Sequence, residues 1–428
     1  MNTIRLSDSF KKVASNTFYQ LISKVITMTI TFGLSILISI RYGSEGYGYF
    51  SILQSLPALF YIIADFGLNA ISAREISKNV KKTEEIFSNI LFLRLIISIL
   101  GVIFCLILSN FLYSDEKIRF GLALASIIII SQSLIMTSNL IFQIKLKYDL
   151  SSISNIIGYI FILIGSLFLI EKNIDLAYVN FMYVVGGFIT VVINLFIIYK
   201  KFIKVNFNFE KTYIKYLVLE SWPLGLMFLF SQINFRADSI LLSLLRLPEN
   251  FGSNLQAVGV YSFPYKIFEV ILVVPTFMMN STYPIILEKF QQGEAVFRSF
   301  FKKTISLFFI IGLTITALGY LGIYFLESYQ VLQRYFNGDF VNSLNILKIL
   351  FLGLVVFFLS QPFSWLFVIK EKQKYLPIFY FFASVFNFSL NYFLIPIYGY
   401  YASGFITWIS ELLILIMLYF TAKHKNWI

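Results

Sequence analysis

Residues 87–109 read FSNILFLRLIISILGVIFCLILS, 23 residues with one charge, Arg94. A helix needs about 20 mostly apolar residues to cross the hydrocarbon core of a bilayer, so this run is a membrane crossing on its own. Outward from it, the 428-residue chain repeats the pattern. Apolar runs, separated by short charged or Gly/Asn-rich breaks, predict twelve spans at 13–40, 47–70, 87–109, 120–142, 151–170, 176–199, 214–245, 258–282, 303–327, 344–369, 376–396 and 401–422. Hydrophobic residues make up 58% of the chain and charged residues 13%, about half the charged share of a soluble domain. That composition excludes a soluble, disordered or peripheral protein. The fold class is an all-α polytopic membrane protein with twelve transmembrane helices.

The formal net charge of +12 would point to nucleic acid in a soluble domain, but here its placement explains it. Counted by alternate loops, one face of the membrane collects 23 Lys and Arg residues and the other six, namely Arg41, Lys117, Arg119, Lys172, Arg246 and Arg334. Basic loops stay in the cytoplasm, so both termini are expected there. A missed span would scramble the alternation. The first span follows a basic start and lacks a small-residue cleavage site, so a cleavable leader is not expected. Anionic inner-leaflet lipid is an expected contact; nucleic acid is not.

Catalysis has little to work with. A single cysteine, Cys105, and a single histidine, His424, leave no disulfide framework and no metal cluster. No Walker A, HExxH, GxSxG or EF-hand pattern occurs, so no enzyme, metal or cofactor is expected.

The basic stretch 200–213 divides the chain into lobes at 1–199 and 214–428. The two repeat each other in places. Ser35-Ile-Leu-Ile-Ser39 matches Ser239-Ile-Leu-Leu-Ser243, and Gly48-Tyr-Phe-Ser51 matches Gly259-Val-Tyr-Ser262, in the same order. Six spans per half is an even number, so the repeats run parallel.

The run from Arg41 to Phe50 (RYGSEGYGYF), then Ala64-Asp65-Phe66-Gly67-Leu68 and Arg74-Glu75, resembles the bacterial polysaccharide repeat-unit flippases. So do Arg236-Ala-Asp238-Ser-Ile-Leu-Leu242 and Val258-Gly-Val-Tyr261 in the second half. The similarity runs over the whole chain in length, span count and motif order. It implies the multidrug/oligosaccharidyl-lipid/polysaccharide exporter fold, with two six-helix lobes around a central cavity. It also implies the substrate, a polyprenyl-pyrophosphate-linked oligosaccharide such as an O-antigen unit of lipopolysaccharide. A polysaccharide polymerase and assembly proteins are the partners to expect.

Polar residues inside the spans give an independent reading. A charge at a helix centre costs about 2.5–3.5 kcal/mol on insertion scales, so it faces a bundle interior or a wet cavity. In span one, Asn16, Gln20, Lys24, Thr27, Thr31 and Ser35 recur at helical spacing; spans two, seven and eight carry similar stripes through Gln54 and Asp65, Gln232 and Arg236, and Lys266 and Glu269. Guanidinium and ammonium groups bind phosphate through charge-assisted bonds, so Lys24, Arg236 and Lys266 are expected to hold the headgroup. Gln20, Gln54, Asp65, Gln232, Asp238 and Glu269 are expected to line the cavity or couple transport. The bland alternative is that these charges pair with one another and fix helix packing. Arg94 and Lys348, near span ends, are expected to snorkel; Glu411, deeper in span twelve, is a candidate proton carrier.

Three other functions compete. A drug/cation antiporter of the same superfamily favours an acidic cavity, and here the bases are more central. A flippase of another lipid-linked glycan fits the same residues. A membrane glycosyltransferase or polymerase needs a larger external loop than the one around 328–343.

Overall fold

The computed structural model describes residues 2–204, 210–336, 338 and 340–428, with side chains from Asn16 onward except at 62, 70, 77, 78, 80, 223 and 284. The side chains of Arg5, Lys11, Lys12 and Lys78, the heart of the expected linker at 205–209, and Asp339 lie outside this set.

Fifteen α-helices follow one another, and among the described residues no strand interrupts them. They are α1 (Asn2–Asp65), α2 (Leu68–Lys78), α3 (Thr83–Leu112), α4 (Glu116–Ser126), α5 (Ile128–Ile144), α6 (Tyr148–Glu171), α7 (Leu176–Lys201) and α8 (Lys211–Leu244), then α9 (Asn254–Gln291), α10 (Glu294–Ser328), α11 (Val331–Tyr335), α12 (Val341–Leu352), α13 (Leu354–Ile369), α14 (Leu376–Tyr398) and α15 (Tyr400–His424). Among the described residues ten helices are long and apolar enough to cross a membrane, and α8, bent by 52° between Trp222 and Leu224, makes an eleventh. The stretch of α1 from Asn16 to Asp65 has 50 residues. That is about 75 Å of helix, far more than one crossing needs. It holds two crossings broken at Gly43 (φ 67°, ψ −170°), a backbone state essentially restricted to glycine. Twelve crossings result, as the sequence predicts. Large apolar side chains such as Phe111, Ile164 and Phe393 remain exposed on the outer surface, where acyl chains cover them.

The turns depart from the expected plan. Residues 41–46, expected as a loop, are helical on both sides of Gly43. The second crossing ends at Asp65 because Phe66 and Gly67 take positive φ. The spans expected at 120–142 and 344–369 are each two helices end to end, meeting at Ile127 and Gly353. Pro223, with no N–H to donate, marks the bend of α8.

By packing, the chain forms two compact units, Met1–Leu37 with Leu53–Leu229, and Ile38–Ile52 with Phe230–Ile428. This division differs from the lobes expected at 1–199 and 214–428 in two places. The first half of α8 stays with the first unit, where Leu217 joins Leu68, Ile71, Ile90 and Leu140 in one apolar core. The corner 38–52 belongs to the second unit. There a Cβ added at Gly48 would lie 1.8 Å from the Leu255 carbonyl oxygen, and one added at Gly259 would lie 1.8 Å from that of Ser44. Only two glycines permit so close a crossing of α1 and α9, and they are the glycines the two half-chain motifs share. Tyr47 and Phe263, Phe336 and Phe340 pack edge-on or tilted around the same crossing, with centroids 5.0–6.3 Å apart.

In the first unit α1 is held to α6 by polar bonds. The Asn16 amide donates to the Leu146 carbonyl (2.8 Å) and accepts from the Tyr148 N–H (3.0 Å), while the Ser152 hydroxyl donates to the Tyr19 carbonyl (3.0 Å). A second apolar core, with Phe87, Leu91, Leu134, Ile141 and Phe142, binds α3, α5 and α7.

Candidate functional site

Most of the embedded charge of the second unit gathers at the meeting of α8 and α9. Arg236 Nη2 lies 3.0 Å from Glu269 Oε1, and Lys266 Nζ lies 3.2 Å from Glu269 Oε2. Lys266 and Glu269 are three residues apart, one turn along the same face of α9. Arg236 and Asp238, two apart, cannot face each other on one helix, and Arg236 finds its carboxylate on the neighbouring helix. All three side chains keep 20–25% of their surface accessible. The three side chains form one run of ion pairs across α8 and α9, with part of its surface within reach of an incoming group.

Asp238, on the other side of α8, is fully buried. Its Oδ2 accepts hydrogen bonds from the Tyr261 hydroxyl (2.6 Å) and the Thr407 hydroxyl (2.8 Å), and its Oδ1 accepts from the Asn391 amide (2.8 Å). A second layer fixes these donors. The Ser403 hydroxyl donates to Asn391 Oδ1 (2.9 Å), the Asn391 amide also reaches the Asn387 carbonyl (3.0 Å), and the Asn387 amide donates to the Ser410 hydroxyl (3.2 Å). Among the described residues no Lys or Arg forms an ion pair with Asp238. A buried carboxylate is costly without partners, and here three neutral donors supply them in place of water. Among the described residues no group of three His, Cys, Asp or Glu forms a metal centre.

Lys24 lies in the first unit, on α1, with an exposed side chain; Gln20, one turn earlier, and Gln54 are half-buried. Gln232, in the second unit, is half-buried one turn before Arg236. Much of the predicted stripe on α1 is satisfied locally. Thr27, Thr31 and Ser35 donate to carbonyls three or four residues back, at 3.1, 2.8 and 2.9 Å.

Asp65 pairs with Arg94 Nη2. Arg94 does not snorkel, contrary to its expected place near a span end. It is fully buried, and its Nη1 donates to the Thr137 hydroxyl at 3.2 Å. An arginine counted near the end of its expected span lies well inside α3 and meets a carboxylate from the end of α1, and the partner replaces water. The rest of the motif is structural too. Phe66 packs edge-on against Trp222 (5.3 Å), Arg74 reaches Glu220 (2.8 Å) and the Tyr216 hydroxyl donates to Glu75 (3.2 Å), so the first turns of α8 are anchored in the first unit. Lys348 pairs with Glu327 at 2.6 Å. Glu411 is buried and accepts from the Ser360 hydroxyl.

The structure therefore brings Arg236, Lys266 and Glu269 together, gives Asp65 to Arg94, and places Asp238 in a network of its own. The sequence reading missed Asn387, Asn391, Ser403, Thr407 and Ser410. Their signal was present: Asn387 and Asn391 are four apart on α14, and Ser403, Thr407 and Ser410 recur at steps of four and three on α15.

Comparison with known proteins places the chain in a family. The profile of the family described as "Polysaccharide biosynthesis protein" matches residues 13–290. No curated protein matches in sequence. Among solved structures, the lipid II flippase MurJ in its inward closed conformation is 17% identical, with a TM-score of 0.74 over 95% of this chain and 87% of that one. An inward-facing multidrug resistance MATE family transporter of the MOP superfamily is 15% identical, with a TM-score of 0.69 over 93% and 94%. A MOP superfamily transporter from Pyrococcus furiosus is 14% identical, with a TM-score of 0.64 over 97% and 95%. The chain belongs to the polysaccharide biosynthesis protein family and has the fold of the multidrug/oligosaccharidyl-lipid/polysaccharide exporter superfamily of membrane transporters.

Proposed function

We propose that this protein moves a polyprenyl-pyrophosphate-linked oligosaccharide from the cytoplasmic to the outer leaflet of the bacterial inner membrane, for surface polysaccharide assembly. The observation that carries this reading is the Arg236–Lys266–Glu269 cluster, two basic side chains on one carboxylate, partly accessible and set in the membrane-spanning part of the chain. Arg236 and Lys266 hold the pyrophosphate through charge-assisted bonds, and Lys24, on the first repeat, binds an anionic headgroup in the same way. Gln20, Gln54 and Gln232 line its path. The prenyl tail stays in lipid throughout. Alternating access moves the headgroup, and Asp238 couples the cycle to a proton or cation through its buried carboxylate. The six-span repeats 1–199 and 214–428, joined through 200–213, supply the elements that alternate, with the corner 38–52 moving with the second and the first half of α8 with the first. A polysaccharide polymerase takes over the product on the outer face, and both termini stay in the cytoplasm. The MurJ likeness supports the substrate class, since that relative is a flippase of a lipid-linked molecule.

The test is complementation of a strain lacking the gene. Wild type should restore surface polysaccharide and clear the lipid-linked precursor from the inner leaflet; Arg236→Ala and Lys24→Ala should leave it there at normal membrane levels of protein. Unchanged clearance by both variants would refute the cationic site. Cys105 is the sole cysteine, so single cysteines placed in a Cys105→Ser background report sidedness cleanly.

A further inference from the structure

We infer that Glu269 is a built-in stand-in for the substrate phosphate. It holds Arg236 and Lys266 while the site is empty and gives them up when a pyrophosphate arrives. The inference rests on the reading of this pair as a pyrophosphate site.

Geometry is the first argument. The two carboxylate oxygens of Glu269 each take a different cation, at 3.0 Å from Arg236 and 3.2 Å from Lys266. An O–C–O unit bridging a guanidinium and an ammonium presents acceptors as an O–P–O unit of a phosphate would.

Electrostatics is the second. Two cations side by side in a membrane-spanning segment, with no anion between them, repel each other and carry the full desolvation cost. Glu269 removes that penalty while the site waits. Its own side chain is 20% accessible and those of the cations 24% and 25%, so an incoming anion reaches the same bonds from outside. The contrast is Asp238, also on α8, whose bonds are buried beyond reach. Glu269 sits on α9 one turn from Lys266, so rotation about its own side-chain bonds withdraws it without moving either helix.

The consequence concerns turnover. A transport site must bind well enough to load and weakly enough to release. Exchange against an internal anion lowers the net affinity for pyrophosphate, and the returning carboxylate helps to expel the headgroup on the far side. Neutralising Glu269 therefore tightens binding and slows release.

The experiment uses the purified full chain in detergent, at fixed ionic strength, with inorganic pyrophosphate and farnesyl pyrophosphate as calorimetric probes. Glu269→Gln is expected to bind about tenfold more tightly than wild type, and Glu269→Asp, which keeps the charge, should stay near wild type. Precursor clearance in cells should fall in Glu269→Gln despite the tighter binding. A role in helix packing alone predicts the opposite sign, since loosening the site weakens binding. Equal or weaker binding by a monodisperse Glu269→Gln protein would overturn the inference. Adding Arg236→Ala or Lys266→Ala to Glu269→Gln separates the two levels of argument. If the gain disappears, the competition is confirmed. If wild-type binding needs both cations and Glu269→Gln gains nothing, only the stand-in role fails. If neither probe binds any variant, the pyrophosphate site itself fails. A gain for both probes assigns recognition to the diphosphate; a gain for farnesyl pyrophosphate alone assigns it to the lipid headgroup.

Discussion

Arg94 and Arg236 both stand in apolar spans, and each meets a carboxylate from a neighbouring helix. Their surroundings differ. Arg94 has no accessible surface, one carboxylate and one hydroxyl, and its pair with Asp65 closes with no net charge. Arg236 keeps 24% of its side chain accessible and shares its carboxylate with a second cation. The first arrangement fixes packing; the second leaves its polar groups within reach of a ligand. An intramembrane charge is a marker of function only when its surface is not covered.

This contrast can be broken at four places. Arg94→Ala should have the largest effect on folding, about 3–5 kcal/mol, because it strands the Asp65 carboxylate. Thermal unfolding in detergent and protein level in the membrane should both report it. The double change Arg94→Met with Asp65→Leu should recover most of that loss, since a buried pair replaced by apolar groups is often neutral. Asp238→Asn comes next, at about 1–3 kcal/mol, because an amide N–H then faces one of the three donors. Precursor clearance by this variant should no longer respond to ionophores that collapse the cation gradient; a retained response would remove Asp238 from coupling. Arg236→Ala should cost about 1 kcal/mol or less, as partly accessible pairs do, yet clear precursor at least about tenfold more slowly. Equal losses of fold and activity at Arg94 and Arg236 would erase the distinction. Lys348→Ala should do least, at most about 0.5 kcal/mol, because its pair with Glu327 is 36% and 40% exposed.

How much the sequence shows depends on the length scale of each feature. The spans are legible because a bilayer imposes a length on apolar runs, and runs such as 87–109 have no other reading. Their ends are less so. α9 continues past 282 to Gln291, and α10 begins at Glu294, because a helix goes on into water wherever its side chains allow. Breaks at Gly43, Ile127 and Gly353 are single-residue dihedral events that leave no periodic signal. Lys266 and Glu269 were legible as a pair because they share a helix face. Arg94 with Asp65, 29 residues apart, and Arg236 with Glu269 were not, since spacing says nothing about which helices meet. The Asp238 network escaped for a different reason. It is built from Asn, Ser and Thr on α14 and α15, residues that carry little weight beside charges until one carboxylate needs all of them.

The crossing at Gly48 and Gly259 bears on how the molecule is made. The corner it secures is synthesised 211 residues before the glycine that receives it, and it has no seat until α9 emerges. While translation proceeds, the end of the first crossing and the start of the second wait with an unfilled face, and a chaperone or the insertion machinery must shield it. Halves expressed as separate polypeptides cut near residue 205 inherit the same problem: the later half lacks a piece of its own core until the earlier one supplies it. Assembly from two chains should then succeed only when both are present in one membrane during folding.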